Sequence, residues 1–472
     1  MKYIGSAIAL LLTVISTSQP PAITAITGVT VIDVVAGRGV ADRTVVVTGD
    51  RITRMGPRAG FKVPPGARVV DGGGKFLAPG LWDMHGHLFS NSHKPGTDDH
   101  AWHFPLYVAT GVTGMRDMWT NLDEIPVVRR WEAERTAGAM LAPYVAVTGP
   151  MLNGADGILR NVIVITSADE ARRAVDRLAD GGAVAVKIHS RLPREAYFAL
   201  MARANERRIP VVGHVPAPIT LREAIRAGQH SIEHSNGVAD GCASEKVEAE
   251  ATRLREQNPA AGRVQRLILD GYDDARCADL MRQLAAARIW VVPTLADAQV
   301  RLAPGERDRA GRPELRYVPQ AERDDWDAGR PNQRPIAADV AEARRQTFLQ
   351  QRRFVGMMQR AGVPLLVGTD VSNPWIVPGF SVHDELAFFV DAGLTPAEAL
   401  RAATLAPARY VGMTDTRGTI AAGKFADMVL LDANPLADIR NTRTIRAVFL
   451  NGRYLDRTFL DGLLADLERG GR

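Results

Sequence analysis

The chain has 472 residues, 46% of them apolar and 24% charged, with a net charge of +5. That length allows two or three domains, and that balance excludes wholesale disorder. Lysine and arginine are scattered, with no basic run and no basic–aromatic interleaving, so no nucleic-acid partner is expected.

Lys2 is followed by an apolar run from Ile4 to Ile15 and then by Ser16-Thr17-Ser18-Gln19. A charged start, a short hydrophobic core and small residues describe a secretory signal peptide, here residues 1–22. The run is too short to cross a bilayer comfortably, and no cysteine follows it to carry a lipid. A mature N-terminus is expected near residue 19 to 23, in a periplasmic or secreted protein with no membrane span after cleavage.

Residues 23–77 read as short strands: Val29-Thr30-Val31-Ile32, Thr44-Val45-Val46-Val47, and Arg51-Ile52-Thr53 after the Gly49-Asp50 turn. Residues 413–472 are similar, with Met428-Val429-Leu430-Leu431, Ala447-Val448-Phe449-Leu450 and the hairpin signal Asn451-Gly452. These pieces predict a small β-sandwich domain formed from both chain ends.

Between them, 78–412 alternates short apolar strands with amphipathic helical stretches. The strands are expected at Gly80–His87, Val112–Met118, Tyr144–Thr148, Val184–His189, Pro210–Val215, His230–His234, Ile289–Thr294 and Pro364–Asp370. Eight βα units predict a (β/α)8 TIM barrel, and no Gly-rich phosphate loop follows the first strand to favour an open doubly wound sheet. Thr395-Pro396-Ala397-Glu398 carries the signature of a capped helix start. Two insertions interrupt the rhythm: a charged helical one near 237–283, and a long Pro/Gly/charge-rich loop near 297–335. Both leave the strands' C-terminal ends, where a lid or substrate-binding role is as open as that of a solvated loop. Cys242 and Cys277 could form one disulfide or remain two thiols, since geometry decides.

The chemistry gathers at strand ends. His85 and His87, two apart, project together, and neutral imidazoles side by side suit zinc and related metals. Among ten histidines, His214 and His234 also end expected strands, as does Asp370. Ligands from the first, fifth, sixth and eighth strands would converge on the barrel mouth. His93, His100, His103 and His383 lie away from strand ends. His230 begins its strand and should point to the barrel bottom.

With Ala78-Pro79-Gly80-Leu81-Trp82-Asp83-Met84-His85-Gly86-His87, Gly213-His214, Glu233-His234, Gly368-Thr369-Asp370 and Gly423-Lys424-Phe425-Ala426-Asp427, the chain resembles the amidohydrolase superfamily. The nearest likeness is to its imidazolonepropionase-like and Xaa-Pro dipeptidase-like branch. The resemblance implies a fourth-strand lysine, here Lys187, that carbon dioxide converts to a carbamate bridging two metals. An unmodified Lys187, paired with a carboxylate in a one-metal enzyme, stays open, because an ammonium only donates. The resemblance further implies that His85, His87 and Asp370 hold one cation and His214 and His234 the other. Zinc fits these ligands, and manganese, iron and cobalt remain compatible. Two cations would lower the pKa of a bridging water, and Asp370 would act as general base and then acid. The expected activity is hydrolysis of an amide C–N bond in a small molecule, a dipeptide or N-acyl amino acid. A ring-opening hydrolase of a cyclic amide and a non-catalytic metal-binding protein are the alternatives. His189, on the same strand face as Lys187, and Arg191 are candidate substrate contacts. Homo-oligomerisation is left open.

Overall fold

The computed structural model describes residues 22–89, 99–155, 159, 161–256, 261–302, 311–328 and 337–470. The apolar run of the expected signal peptide lies outside them, as does His93. Chain order begins with β1 (Ile23–Asp33), β2 (Arg38–Thr48), β3 (Arg51–Pro57), β4 (Arg68–Asp71) and β5 (Phe76–Pro79). It continues with β6 (Leu81–Gly86), β7 (Val112–Asp117), β8 (Tyr144–Val147), β9 (Met151–Asn153), β10 (Ile163–Val164) and β11 (Val186–Ile188). Then come β12 (Val211–Gly213), β13 (Ser231–Glu233), β14 (Trp290–Val292), β15 (Met428–Leu431), β16 (Ile445–Leu450) and β17 (Arg453–Asp456).

Both chain ends enter one sheet. Its order is β17-β16-β15-β5-β1-β2-β3, with β4 added to β1. The junction is the antiparallel pairing of β15 with β5, Val429 opposite Ala78. Ile26, Val45, Leu77, Met428 and Phe449, drawn from both ends, are buried in one hydrophobic cluster. Apolar area removed from water is what holds the two pieces together.

The middle of the chain is α/β. β6-β7-β8 form one parallel sheet and β10-β9-β11-β12-β13-β14 another. Every residue of β6, β7, β11, β12 and β13 is buried, the pattern of parallel strands covered on both faces. β9 and β10 were not among the expected strands. Gly149 and Pro150 interrupt the third strand, proline having no N–H for the ladder. The chain therefore leaves β8, paired to β7, and resumes as β9, paired to β11. The expected eighth strand is an extended segment rather than a regular strand. It bonds to β14 through Leu366 N to Val291 O at 3.0 Å, and to β6 through Met84 N to Val367 O at 2.8 Å.

The helix Pro396–Ala402 starts with the expected capping box between Thr395 and Glu398. The first insertion is helical as expected: Val238–Gly241, Glu245–Glu256, Ala261–Asp270 and Asp274–Ala286. Cys242 and Cys277 form a disulfide that fastens it. The second departs from expectation. Its start lies inside the helix Leu295–Leu302, and a 3-10 turn (Pro313–Tyr317) and the helix Gln320–Ala328 follow, so its described part is not simply loop. Residues 303–310 and 329–336 lie outside the described residues. No described helix is long and apolar enough to cross a membrane.

Candidate metal centre

The six residues picked out at strand ends come together. His85, His87, Lys187, His214, His234 and Asp370 all line one small cavity of about 100 Å³, with Trp119, Met151, Leu159, His189 and Asn373 completing its wall. Two glycines permit the approach. A Cβ at Gly368 would lie 2.5 Å from Val292 Cγ1 and 2.8 Å from the His85 backbone nitrogen, so only glycine lets the last segment close on β6. At Gly213 φ is +120° and a Cβ would meet the Ile188 carbonyl at 2.2 Å, just before His214. His234, Thr294 and Asp370 themselves have φ of 60°, 49° and 65°. Such left-handed backbone is costly for residues with a Cβ and gathers where a site demands it.

The Asp370 carboxylate is the hub. Its Oδ1 lies 3.2 Å from His85 Nε2 and 3.1 Å from His87 Nε2, and its Oδ2 lies 3.8 Å from His234 Nδ1. The rings are oriented from behind. His85 Nδ1 is 2.9 Å from Glu233 Oε2, His214 Nδ1 is 2.7 Å from Ser190 Oγ, and His234 Nδ1 is 2.7 Å from Thr294 Oγ1. Glu233 in turn accepts from one terminal nitrogen of the Arg116 guanidinium, Nη2, at 2.9 and 3.0 Å and from Ser231 Oγ at 2.7 Å. Asp83 fixes the closing segment to β6, accepting from Thr369 N at 3.0 Å and Thr369 Oγ1 at 2.6 Å.

These surroundings set the charges. Burial alone would raise Asp370, but His234, His85 and His87 hold it well below the usual carboxylate range. Glu233 is likewise buried and yet held far down by Arg116 and His85. Burial and neighbouring cations keep His214 well below the ordinary histidine value. Burial drives His234 down too, against the pull of Asp370. His87 is lowered by burial despite Asp370. For His85, burial and Lys187 work downward, but Asp370 and Glu233 win and raise it. Burial pushes the Lys187 ammonium down to about 8.

A family model described as the amidohydrolase family matches residues 76–455. The chain belongs to the amidohydrolase family. An imidazolonepropionase from Thermoplasma volcanium is 31% identical to this amidohydrolase over 106 residues, 21% of this chain and 25% of that relative. The chain spans between 18% and 25% of the length of the first curated relatives it matches. Among solved structures, bottromycin amidohydrolase superposes with a TM-score of 0.73 at 24% identity, over 96% of this chain and 91% of that one. A Xaa-Pro dipeptidase with bound methionine gives 0.63 at 17% identity, over 92% and 100%. At these identities the likeness is one of fold.

The donor set of this amidohydrolase suits divalent cations. Ligand atoms of His85, His87 and Asp370 lie within 4.8 Å of one another, as do those of His234, Asp297 and Asp370. Mostly neutral imidazoles and ionised carboxylate are the ligand forms such ions need.

Of the remaining expectations, His189 reaches the cavity and lies against the His214 ring, centroids 4.1 Å apart. Arg191 lines neither this cavity nor the larger one beside it, and its backbone N–H donates to Asn153 Oδ1 at 2.9 Å. His230 packs on Tyr410 and lines a separate cavity with Tyr144 and Pro210, at the strands' N-terminal ends. His383 is held between Thr442 Oγ1 and Thr110 O. Sequence reasoning missed Glu233, Arg116 and Asp297. Arg116 and Glu233 are charges inside buried apolar strands and Asp297 is one on the buried face of the helix Leu295–Leu302; a buried charge obliges a partner, and that was the available signal. Asp297, almost wholly buried, is pushed up to about 6 by burial, against Arg301.

Proposed function

We propose that this chain is a metal-dependent hydrolase that cleaves the amide C–N bond of a dipeptide or N-acyl amino acid. The observation that carries the reading is the convergence of His85, His87, Lys187, His214, His234 and Asp370, supplied from five strand ends, on one cavity of about 100 Å³. In this reading His85, His87 and Asp370 would hold one cation and His214 and His234 the other, and Lys187, as its carbon dioxide carbamate, would be a ligand shared by both. Two zinc ions bound there would supply Lewis acidity toward the scissile carbonyl and toward water. The depressed pKa of Lys187 supports the carbamate, because the free amine is the form that combines with carbon dioxide.

The chain's own groups do the rest. Asp370, ionised and aimed into the cavity, takes the proton of the attacking water and returns it to the departing nitrogen. Glu233, Ser190 and Thr294 hold His85, His214 and His234 in fixed orientations, so their ring nitrogens need no reorganisation. His189, beside His214, can donate to the substrate carbonyl.

The same reading takes the two parallel sheets as one closed (β/α)8 barrel, 78–412. In support, the segment Leu365–Asp370 bonds to both β14 and β6, and the Thr148 carbonyl accepts from Val184 and Ala185 across the other seam. It takes the two-ended sheet, 23–77 with 413–472, as a sandwich around its own cluster. The N-terminal pattern supports export to the periplasm or beyond. The stretch shared with an imidazolonepropionase favours a second reading, ring opening of a cyclic amide.

The test is metal quantification on protein purified without chelator, followed by dipeptide, N-acyl amino acid and lactam panels. Near two metals per chain with dipeptide turnover is expected. Turnover of lactams alone would establish the second reading, and absence of metal would remove both.

A further inference from the structure

We propose that Asp297 is a further metal ligand, holding the second cation together with His234 and Asp370. This rests on the metal-dependent reading and deepens it. Two neutral imidazoles, His214 and His234, leave the charge of a buried divalent cation unmatched, and a Lys187 carbamate would be shared with the first ion. Ligand atoms of His234, Asp297 and Asp370 lie within 4.8 Å of one another, the same closeness as in the set His85, His87 and Asp370. Asp370 belongs to both sets, so the two sites adjoin.

The fold places Asp297 there. Thr294, whose Oγ1 lies 2.7 Å from His234 Nδ1, leads directly into the helix Leu295–Leu302. Glu385 pins the start of that helix, accepting from Leu295 N at 2.9 Å and Ala296 N at 2.7 Å. Asp297 lies on the helix's buried face and is 1% exposed. Arg301, one turn on, donates from Nε to its Oδ2 at 2.6 Å, and Nη2 lies 2.5 Å from the same oxygen. The Arg301 side chain is itself 57% exposed, so the guanidinium is partly in water while the carboxylate is not.

Two carboxylates this close, both withdrawn from solvent, repel each other in a low dielectric. One half-exposed guanidinium on one oxygen offsets only part of that. A divalent cation shared by the pair removes the repulsion, and carboxylate oxygen with imidazole nitrogen suits zinc and related ions. The two sets are also built alike. In the first, Glu233 orients His85 and Arg116 holds Glu233; in the second, Thr294 orients His234 and Arg301 holds Asp297. Ligating carboxylates are anchored by such hydrogen bonds from behind. Arg301 is then a positioning residue for the second cation.

The experiment competes zinc-loaded protein with a graded chelator and resolves two binding steps. His87→Asn, which removes a ligand of the first cation alone, identifies which step is which. Asp297→Asn should weaken the second step by more than roughly 100-fold and the first by far less. Arg301→Gln, at a mostly exposed side chain, should weaken the second step about 10–100-fold. An Asp297 acting only through its charge would weaken both steps alike, and that result overturns the assignment. A second step that Arg301→Gln leaves unmoved overturns it too, which decides the matter even if Asp297→Asn folds poorly. Parent protein that binds one zinc overturns it while keeping a one-metal hydrolase. Parent protein that binds none removes the metal-dependent reading as well.

Discussion

Glu233 Oε2 lies 2.9 Å from His85 Nδ1, and both side chains are buried. The pair ties a ring on β6 to a carboxylate on β13, and Arg116 on β7 anchors that carboxylate from below. An ionised Glu233 fixes which nitrogen of His85 faces Asp370 and makes that nitrogen a stronger donor to a cation. Glu233→Gln keeps the shape and removes the charge. Metal affinity should fall about 10–100-fold, as for other partners that orient a ligand from behind. Competition with a graded chelator reads this directly, and an unchanged affinity would reduce Glu233 to a packing role.

Gly368 offers a steric test that leaves all ligands in place. Its absent Cβ would sit 2.5 Å from Val292 and 2.9 Å from the Cβ of His85. Both neighbours are held by strand pairing, so neither can yield cheaply. Gly368→Ala should move Asp370 away from His85 and His87, lowering metal content and hydrolysis together. Overpacking of this kind costs about 1–3 kcal/mol, visible as a lower melting temperature. Full metal loading at an unchanged melting temperature would contradict the close approach.

Much of this centre could be read from the sequence because its elements obey simple rules. His85 and His87 share a strand face by the two-residue period, and His214, His234 and Asp370 each end an expected strand. The orienting groups escaped because they break no pattern that a single strand displays. Glu233 alternates with His234 and faces inward, and its partner Arg116 lies 117 positions away. Only the strand order brings them together. The third strand's handover from β8 to β9 was hidden for a related reason: a three-residue strand has too little periodicity to announce itself.

Lys187 decides between one cation and two. Its side chain is 1% exposed, and burial has already brought its pKa to about 8. A bridging carbamate there predicts that Lys187→Ala lowers the metal-to-chain ratio from near two to near one and abolishes most turnover. Elemental analysis alongside amide hydrolysis gives both readouts. A ratio of one in the parent protein, unmoved by the substitution, would sink the bridged centre and favour the one-metal enzyme.

Glu385 supplies a pH dependence of stability. It lies on the helix Phe380–Asp391 and accepts from Leu295 N at 2.9 Å and Ala296 N at 2.7 Å, at the start of the helix that carries Asp297. Burial raises its pKa from 4.5 to about 8, against those two hydrogen bonds. Between these values the folded chain holds a proton that the unfolded chain has released, so stability falls as pH rises. The contribution is complete below 4.5 and is lost as pH climbs through about 8. Glu385→Gln keeps a neutral acceptor at every pH. The melting-temperature difference between variant and parent should therefore shift in the variant's favour from pH 5 to pH 9. A difference that stays flat over that range would mean that Glu385 is ionised throughout, its two backbone donors outweighing burial.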